Sequence, residues 1–215
     1  MMDAAATRGR RAAVFDIGGV LIDWDPRHLY RSLFDDEAEM ERFLAEVCTD
    51  EWNARQDAGR PFAEAVAELT ARHPEELHGL IEAYHLRWEE MVAGAIEGTV
   101  AVLAELRRAG TPLFALSNWS AETFPAMRAR FEFLTCFELI VLSGEVGLIK
   151  PDPQIFELLL ARIGRSAGEC VYIDDSPRNV AAAEQLGFDA IPFLSPDRLR
   201  ADLTRRGLLP ASPEG

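Results

Sequence analysis

Four short stretches could do chemistry together. Asp16 follows the apolar run "AAVF" (Ala12–Phe15), and Ser117 and Asn118 follow "TPLFAL" (Thr111–Leu116). Lys150 sits in "GLIKPDP", and the pair Asp174-Asp175 follows "CVYI" (Cys170–Ile173). If the apolar runs are parallel strands, all of these residues lie at carboxyl ends, where open sheets bind ligands. Three carboxylates at one rim repel each other and raise one another's pKa. A divalent cation relieves that, and hard oxygen ligands with water completing an octahedron suit Mg²⁺. The metal would hold one oxygen of a phosphate, with Ser117 and Lys150 holding others. Asp16, ionised at neutral pH, would then be a nucleophile that needs no activating base.

Lys150 stands out for a second reason. It is the one lysine among 22 basic residues; the rest are arginine. An ammonium is a compact charge that can bridge a carboxylate and a phosphate, whereas the planar guanidinium fork is too wide for a crowded rim. Gly18 and Gly19, just after Asp16, leave the backbone free to turn tightly.

These groups need a scaffold. The second half of the chain alternates apolar runs with amphipathic stretches. "TVAVLAELRRAG", "PQIFELLLARIG" and "PRNVAAAEQLG" carry helical periodicity and stop on Gly110, Gly164 and Gly187. Strands are expected at Ala12–Phe15, Thr111–Leu116, Phe137–Leu142, Cys170–Ile173 and Asp189–Phe193. The alternation argues for an α/β fold, a Rossmann-like parallel sheet with helices on both faces. Asp23 to Ala95 reads as helices only, an all-helical insert after the first strand. The expected division is a core of 1–22 and 96–215 with a helical cap of 23–95.

With the residues in this order, the sequence resembles the haloacid dehalogenase superfamily of hydrolases. "VFDIGGVL" is similar to its first motif, "LFALSN" to its second, "GLIKPDPQIF" to its third and "VYIDDSPRNVAAAEQLG" to its fourth. Within that superfamily "DIGGVLIDWDP" and "IDDSPRNV" most resemble sugar-phosphate phosphatases and the phosphatase domain of soluble epoxide hydrolase. The resemblance implies a five-stranded core, a mobile helical cap and an aspartyl-phosphate formed on Asp16. It implies phosphoryl binding by Ser117, Asn118 and Lys150. Mg²⁺ would be held by Asp16, the Gly18 carbonyl, Asp174 and Asp175.

One position departs from the pattern. Phosphatases of this kind carry a second aspartate two residues after the nucleophile, as general acid and then base; here Gly18 stands there. Asp23 or Asp25 folding back, a water, or a substrate with a good leaving group would each replace it. The alternatives are a metal-independent 2-haloacid dehalogenase, in which the same aspartate attacks carbon, and a non-catalytic phosphate-binding module. Trp24, Arg27, His28, Tyr30, Trp52, Arg55 and Trp119 are candidates to line a substrate pocket.

Composition narrows the partners. A formal net charge of −14 over 215 residues argues against nucleic acid and anionic membranes as partners. It leaves room for a small phosphorylated substrate in a locally positive site. Three well-separated cysteines, the absence of a signal-peptide pattern and the lack of a long apolar run point to a cytoplasmic protein. The tail after Gly207 is expected to fray.

Overall fold

The computed structural model describes residues 11–210. The chain enters through β1 (Ala12–Phe15), whose four residues are all buried. After a tight loop come β2 (Ile22–Trp24) and five helices: α1 (Pro26–Tyr30), α2 (Glu37–Glu46), α3 (Asp50–Asp57), α4 (Phe62–Thr70) and α5 (His78–Leu86). Asp25, Asp36 and Thr49 cap the first three helices, each accepting backbone N–H bonds at the N-terminus. The chain returns through β3 (Val92–Ala95).

From there strands and helices alternate. They are α6 (Glu97–Arg108), β4 (Leu113–Ser117), α7 (Phe124–Arg130), β5 (Leu139–Leu142), α8 (Ser143–Val146), α9 (Pro153–Ile163), β6 (Cys170–Asp174), α10 (Pro177–Gln185), β7 (Asp189–Pro192) and α11 (Pro196–Arg205). The sheet order is β5-β4-β1-β6-β7, and every pairing within it is parallel. The result is the expected α/β class.

Alternation along the strands sorts the core into two faces. Ala12, Val14, Leu116 and Tyr172 pack with Ile155, Phe156 and Leu159 of α9 and Val180 and Ala183 of α10. Ala13, Phe15 and Ile173 pack on the other face with Leu103 and Leu106 of α6 and Leu199 and Leu203 of α11. A third cluster fills the helical segment and runs to Trp119, Phe124 and Met127 beneath it. Gly110, Gly164 and Gly187 all have positive φ, as their place behind a helix requires.

Three details differ from the sequence reading. The segment Asp23–Ala95 is not purely helical, because β2 and β3 pair antiparallel at its neck, Ile22 with Ala95 and Asp23 with Gly94. Strands of three and four residues, one of them "VAGA", are too short and too poor in β-branched residues to announce themselves. β4 starts two residues later than expected and extends through Ser117, and β6 extends through Asp174. The sheet therefore delivers those two side chains directly, rather than through loops. Leu209, in the tail expected to fray, is 5% exposed and packs on the core. Residues 1–10 and 211–215 lie outside the described residues. Among the described residues no helix is long and apolar enough to cross a membrane.

Candidate active site

Asp16, Ser117, Lys150 and Asp174 come together at the carboxyl ends of β1, β4 and β6, all of them buried. The central position of β1, between β4 and β6, accounts for this: Phe15 registers with Ala115 and Ile173, so Asp16 emerges beside the ends of both neighbouring strands. Asp16 is fixed by its own backbone N–H donating to the Ile173 carbonyl at 2.8 Å. Its Oδ1 accepts from the Ile17 N–H at 2.7 Å and the Ser117 Oγ–H at 2.8 Å. Its Oδ2 faces the Lys150 Nζ at 2.8 Å.

Lys150 bridges. The same Nζ donates to Asp174 Oδ2 at 2.7 Å, and the side chain is 1% exposed. Burial alone would lower the Lys150 pKa, but the charges of Asp16 and Asp174 reverse that and raise it, so the ammonium keeps its proton. Asn118 sets the position of this lysine. Its Oδ1 accepts from the Lys150 backbone N–H at 2.8 Å and its Nδ2 donates to the Lys150 carbonyl at 3.0 Å. The side chain predicted to bind substrate thus holds the backbone of the residue beside it, while also lining the cleft above.

Asp174 is fully buried and is met by four hydrogen-bonding residues, Lys150 among them. The Tyr172 hydroxyl donates to it, as do the Ser176 N–H at 2.8 Å and Asn179 Nδ2 at 3.1 Å. Burial pushes its pKa up, but Lys150 and these donors more than offset that and hold it below the usual value. Asp16 goes the other way. Burial raises it, Lys150 lowers it, Asp174 raises it again, and the result is about 7. Asp175 is also raised, by burial and then by Asp174.

Burial first, and the neighbouring Asp174 after it, raise Asp16 and Asp175. One oxygen from each of Asp16, Asp174 and Asp175 lies within 4.8 Å of the others. An all-oxygen donor set of three carboxylates, two of them buried, is what a hard divalent cation satisfies. The backbone opposite is shaped for it too. Gly19 has φ 72°, and a Cβ there would lie 2.2 Å from Asp175 Oδ2. No side chain fits between that loop and Asp175. Gly18 lies one residue earlier on the same loop.

Two cavities open beside Gly18, Asn118 and Lys150. One, of about 390 Å³, is bounded by Lys150, Asn118, Arg178, Asn53 and Asp57. The other, of about 50 Å³, lies among Gly18, Trp24, Trp88, Trp119 and Asp57. Trp24 and Trp119 line the smaller cavity, and Trp119 is also buried in the core of the helical segment. Tyr30 and Trp52 instead pack inside the helical segment, where the Tyr30 hydroxyl donates to the Leu80 carbonyl. Arg27 pairs with Glu41. Asp23 is held by His28 at 3.0 Å, and Asp25 caps α1; neither lines either cavity. Both candidates to replace the acid missing at Gly18 are therefore committed elsewhere.

Sequence reasoning missed Tyr172, Asn179, Asn53 and Asp57. Tyr172 had a signal, since it lies two residues before Asp174 on the same strand and so on the same face. Asn179, in the first turn after the acidic pair, had a weaker one. Asn53 and Asp57 had none, because only the folded helical segment brings α3 over the sheet.

The family model for haloacid dehalogenase-like hydrolases matches residues 10–187. The sesquiterpene phosphatase astK of Aspergillus oryzae is 26% identical over 82% of this chain and 86% of its own length. The drimenol cyclase drtB of Aspergillus calidoustus is 25% identical over 90% of this chain, which spans only 36% of that longer protein. Among solved structures, a haloacid dehalogenase family enzyme of Bacteroides thetaiotaomicron, crystallised with magnesium, superposes with a TM-score of 0.68 at 22% identity, covering 87% of this chain and 94% of that one. At that identity the likeness speaks for the fold. With the four motifs converging as described, the chain belongs to the haloacid dehalogenase-like hydrolase family.

Proposed function

We propose that this hydrolase is a Mg²⁺-dependent phosphohydrolase acting on a small phosphorylated metabolite through an aspartyl-phosphate on Asp16. The observation that carries the proposal is the Lys150 bridge, with one ammonium held 2.8 Å from Asp16 and 2.7 Å from Asp174 beside a third carboxylate. The resemblance to a sesquiterpene phosphatase supports the same reaction class. Asp16, Asp174, Asp175 and the Gly18 carbonyl are the groups that would hold the ion. When bound, Mg²⁺ neutralises charge on the phosphoryl oxygens.

The chain's own residues do the rest. An Asp16 carboxylate oxygen is the attacking atom; Oδ1 accepts from Ser117 and the Ile17 N–H, and Oδ2 faces the Lys150 ammonium at 2.8 Å. The Ser117 hydroxyl and the Lys150 ammonium, both beside Asp16, are placed to take phosphoryl oxygens as charge builds on them. Asn118 orients Lys150, and Tyr172 and Asn179 orient Asp174. The segment 23–95 serves as a cap over the core of 1–22 and 96–215, with the β2–β3 ribbon as its neck. It excludes water and chooses the leaving group through Trp24, Asn53 and Trp88.

A phosphate-release screen over sugar, glycerol and acyl phosphates tests this reading. Turnover is expected with Mg²⁺ and is expected to fall by at least ~10²-fold on EDTA treatment and return on adding Mg²⁺. Halide release from a 2-haloacid that is indifferent to EDTA, with no phosphate released from any ester, would instead identify a dehalogenase.

A further inference from the structure

We propose that Asp57, at the end of α3 in the helical segment, is the general acid and base that Gly18 cannot be. The inference rests on the phosphoryl-transfer reading above and names the proton donor that it lacks.

Position is the first argument. Of the two α3 carboxylates near the site, Asp50 lines only the wide cavity and is exposed, whereas Asp57 lines both cavities. It therefore borders Gly18 on one side and Lys150 on the other. Its backbone is fastened to the core, since its carbonyl accepts from Ser143 Oγ at 2.5 Å and that oxygen accepts from the Trp119 N–H at 2.9 Å. Trp119 lies two residues past Ser117, so the cap-borne carboxyl is tied to the loop that follows the strand bearing the phosphoryl-binding hydroxyl.

The second argument is the polar surroundings. Asn53 Nδ2 donates to Asp57 Oδ2 at 3.1 Å. The buried Oδ1 of Asn53 has no hydrogen-bond partner among the described residues, and neither has the indole nitrogen of Trp24. An unsatisfied donor and an unsatisfied acceptor in one pocket wall are costly unless a ligand completes them. A leaving group bearing oxygens would do so. Burial also raises the Asp57 carboxyl to about 7 against the opposing pull of the Ser120 backbone, so the acid form is present near neutral pH.

The chemistry balances. An Asp16 oxygen bonds to phosphorus as the bond from phosphorus to the ester oxygen breaks. The departing oxygen takes that electron pair and the Asp57 proton, and leaves as an alcohol. Water then attacks phosphorus, its proton passes to the Asp57 carboxylate, and the Asp16 carboxylate and inorganic phosphate separate.

Rapid-quench measurement of Asp16 phosphorylation in Asp57→Asn tests the assignment, with acetyl phosphate as a probe that needs no acid and a panel of sugar and glycerol phosphates as probes that do. The expected result is phosphoenzyme formation from acetyl phosphate within ~3-fold of wild type, with the phosphoenzyme accumulating because its hydrolysis lacks a base. Formation from the alkyl phosphates should be slower by ~10²- to 10⁴-fold. Adding Gly18→Asp should recover at least ~10-fold of the alkyl-phosphate rate. That carboxyl has room, since a Cβ at Gly18 would meet nothing nearer than Trp119 Cζ3 at 3.7 Å.

Equal losses on both probe types, no loss on either, or no recovery with Gly18→Asp would overturn the role of Asp57. So would a wild-type protein that acetyl phosphate labels and no alkyl phosphate does. A wild-type protein labelled by neither would bring down the phosphatase reading itself, and this inference with it.

Discussion

Asp16→Asn is expected to reduce phosphate release by roughly 10⁴- to 10⁶-fold, the loss typical of removing a covalent nucleophile. The amide keeps the shape of the carboxyl. Its oxygen still accepts from the Ile17 N–H and the Ser117 hydroxyl, as Asp16 Oδ1 does at 2.7 and 2.8 Å. Fold and ligand pocket should therefore survive while the reaction stops. A steady-state rate within ~10-fold of wild type would remove Asp16 from the mechanism.

The same substitution has a stability signature of known sign. Asp16 is raised from its ordinary value near 4 to about 7, by burial first and by Asp174 against the pull of Lys150. Between those two pH values the folded, metal-free protein holds more protons than the unfolded chain. Its stability therefore falls as pH rises through that window. Asparagine has no such titration. In EDTA, Asp16→Asn should melt above wild type at pH 8, and the gap should shrink by pH 5. Thermal melts at the two pH values check this; a variant that melts lower at both would mean that the carboxylates do not strain the site.

Lys150→Arg is expected to lower kcat by at least ~10²-fold even though it preserves charge. The ammonium sits between two carboxylates at 2.8 and 2.7 Å with its side chain 1% exposed. A guanidinium needs a planar slot several atoms wide, and the Tyr172 hydroxyl and Asn179 Nδ2 already occupy the surroundings of Asp174. The larger head must displace one of them or leave the site. Lys150→Met should do worse for stability, by roughly 3–5 kcal/mol, because it leaves Asp16 and Asp174 buried without their shared counter-charge. Kinetics of the arginine variant alongside its circular dichroism would separate the two effects; a folded Lys150→Arg protein with wild-type kcat would show that the compactness of the ammonium is irrelevant.

Much of this site could be read from the chain because Asp16, Ser117 and Asp174 stand at or just past the ends of strands. An apolar run followed by a charged or hydroxyl residue is visible in sequence, and the parallel arrangement then brings such ends to one rim. Asp16, Ser117 and Asp174 were legible for that reason. Lys150 was legible through its rarity. The α/β core was legible because buried parallel strands read as unbroken apolar runs and their helices end on glycine.

What escaped depends on contacts that leave no local pattern. The β2–β3 ribbon joins residues about seventy positions apart through two very short strands. Asn118 looked like a ligand residue and proves to clasp the Lys150 backbone, a pairing that spans 32 residues. Asp57 resembled any surface acid on a polar helix. Its meaning comes from α3 being laid across the sheet end, with Ser143 and Trp119 holding it there.

The most direct test of the phosphoenzyme is to find it. Wild-type protein mixed with radiolabelled acetyl phosphate and Mg²⁺, quenched in acid within milliseconds and digested, should carry the label on one peptide, at Asp16, and lose it on addition of hydroxylamine. Rapid phosphate release with no label trapped, or with the label on any other residue, would contradict the account.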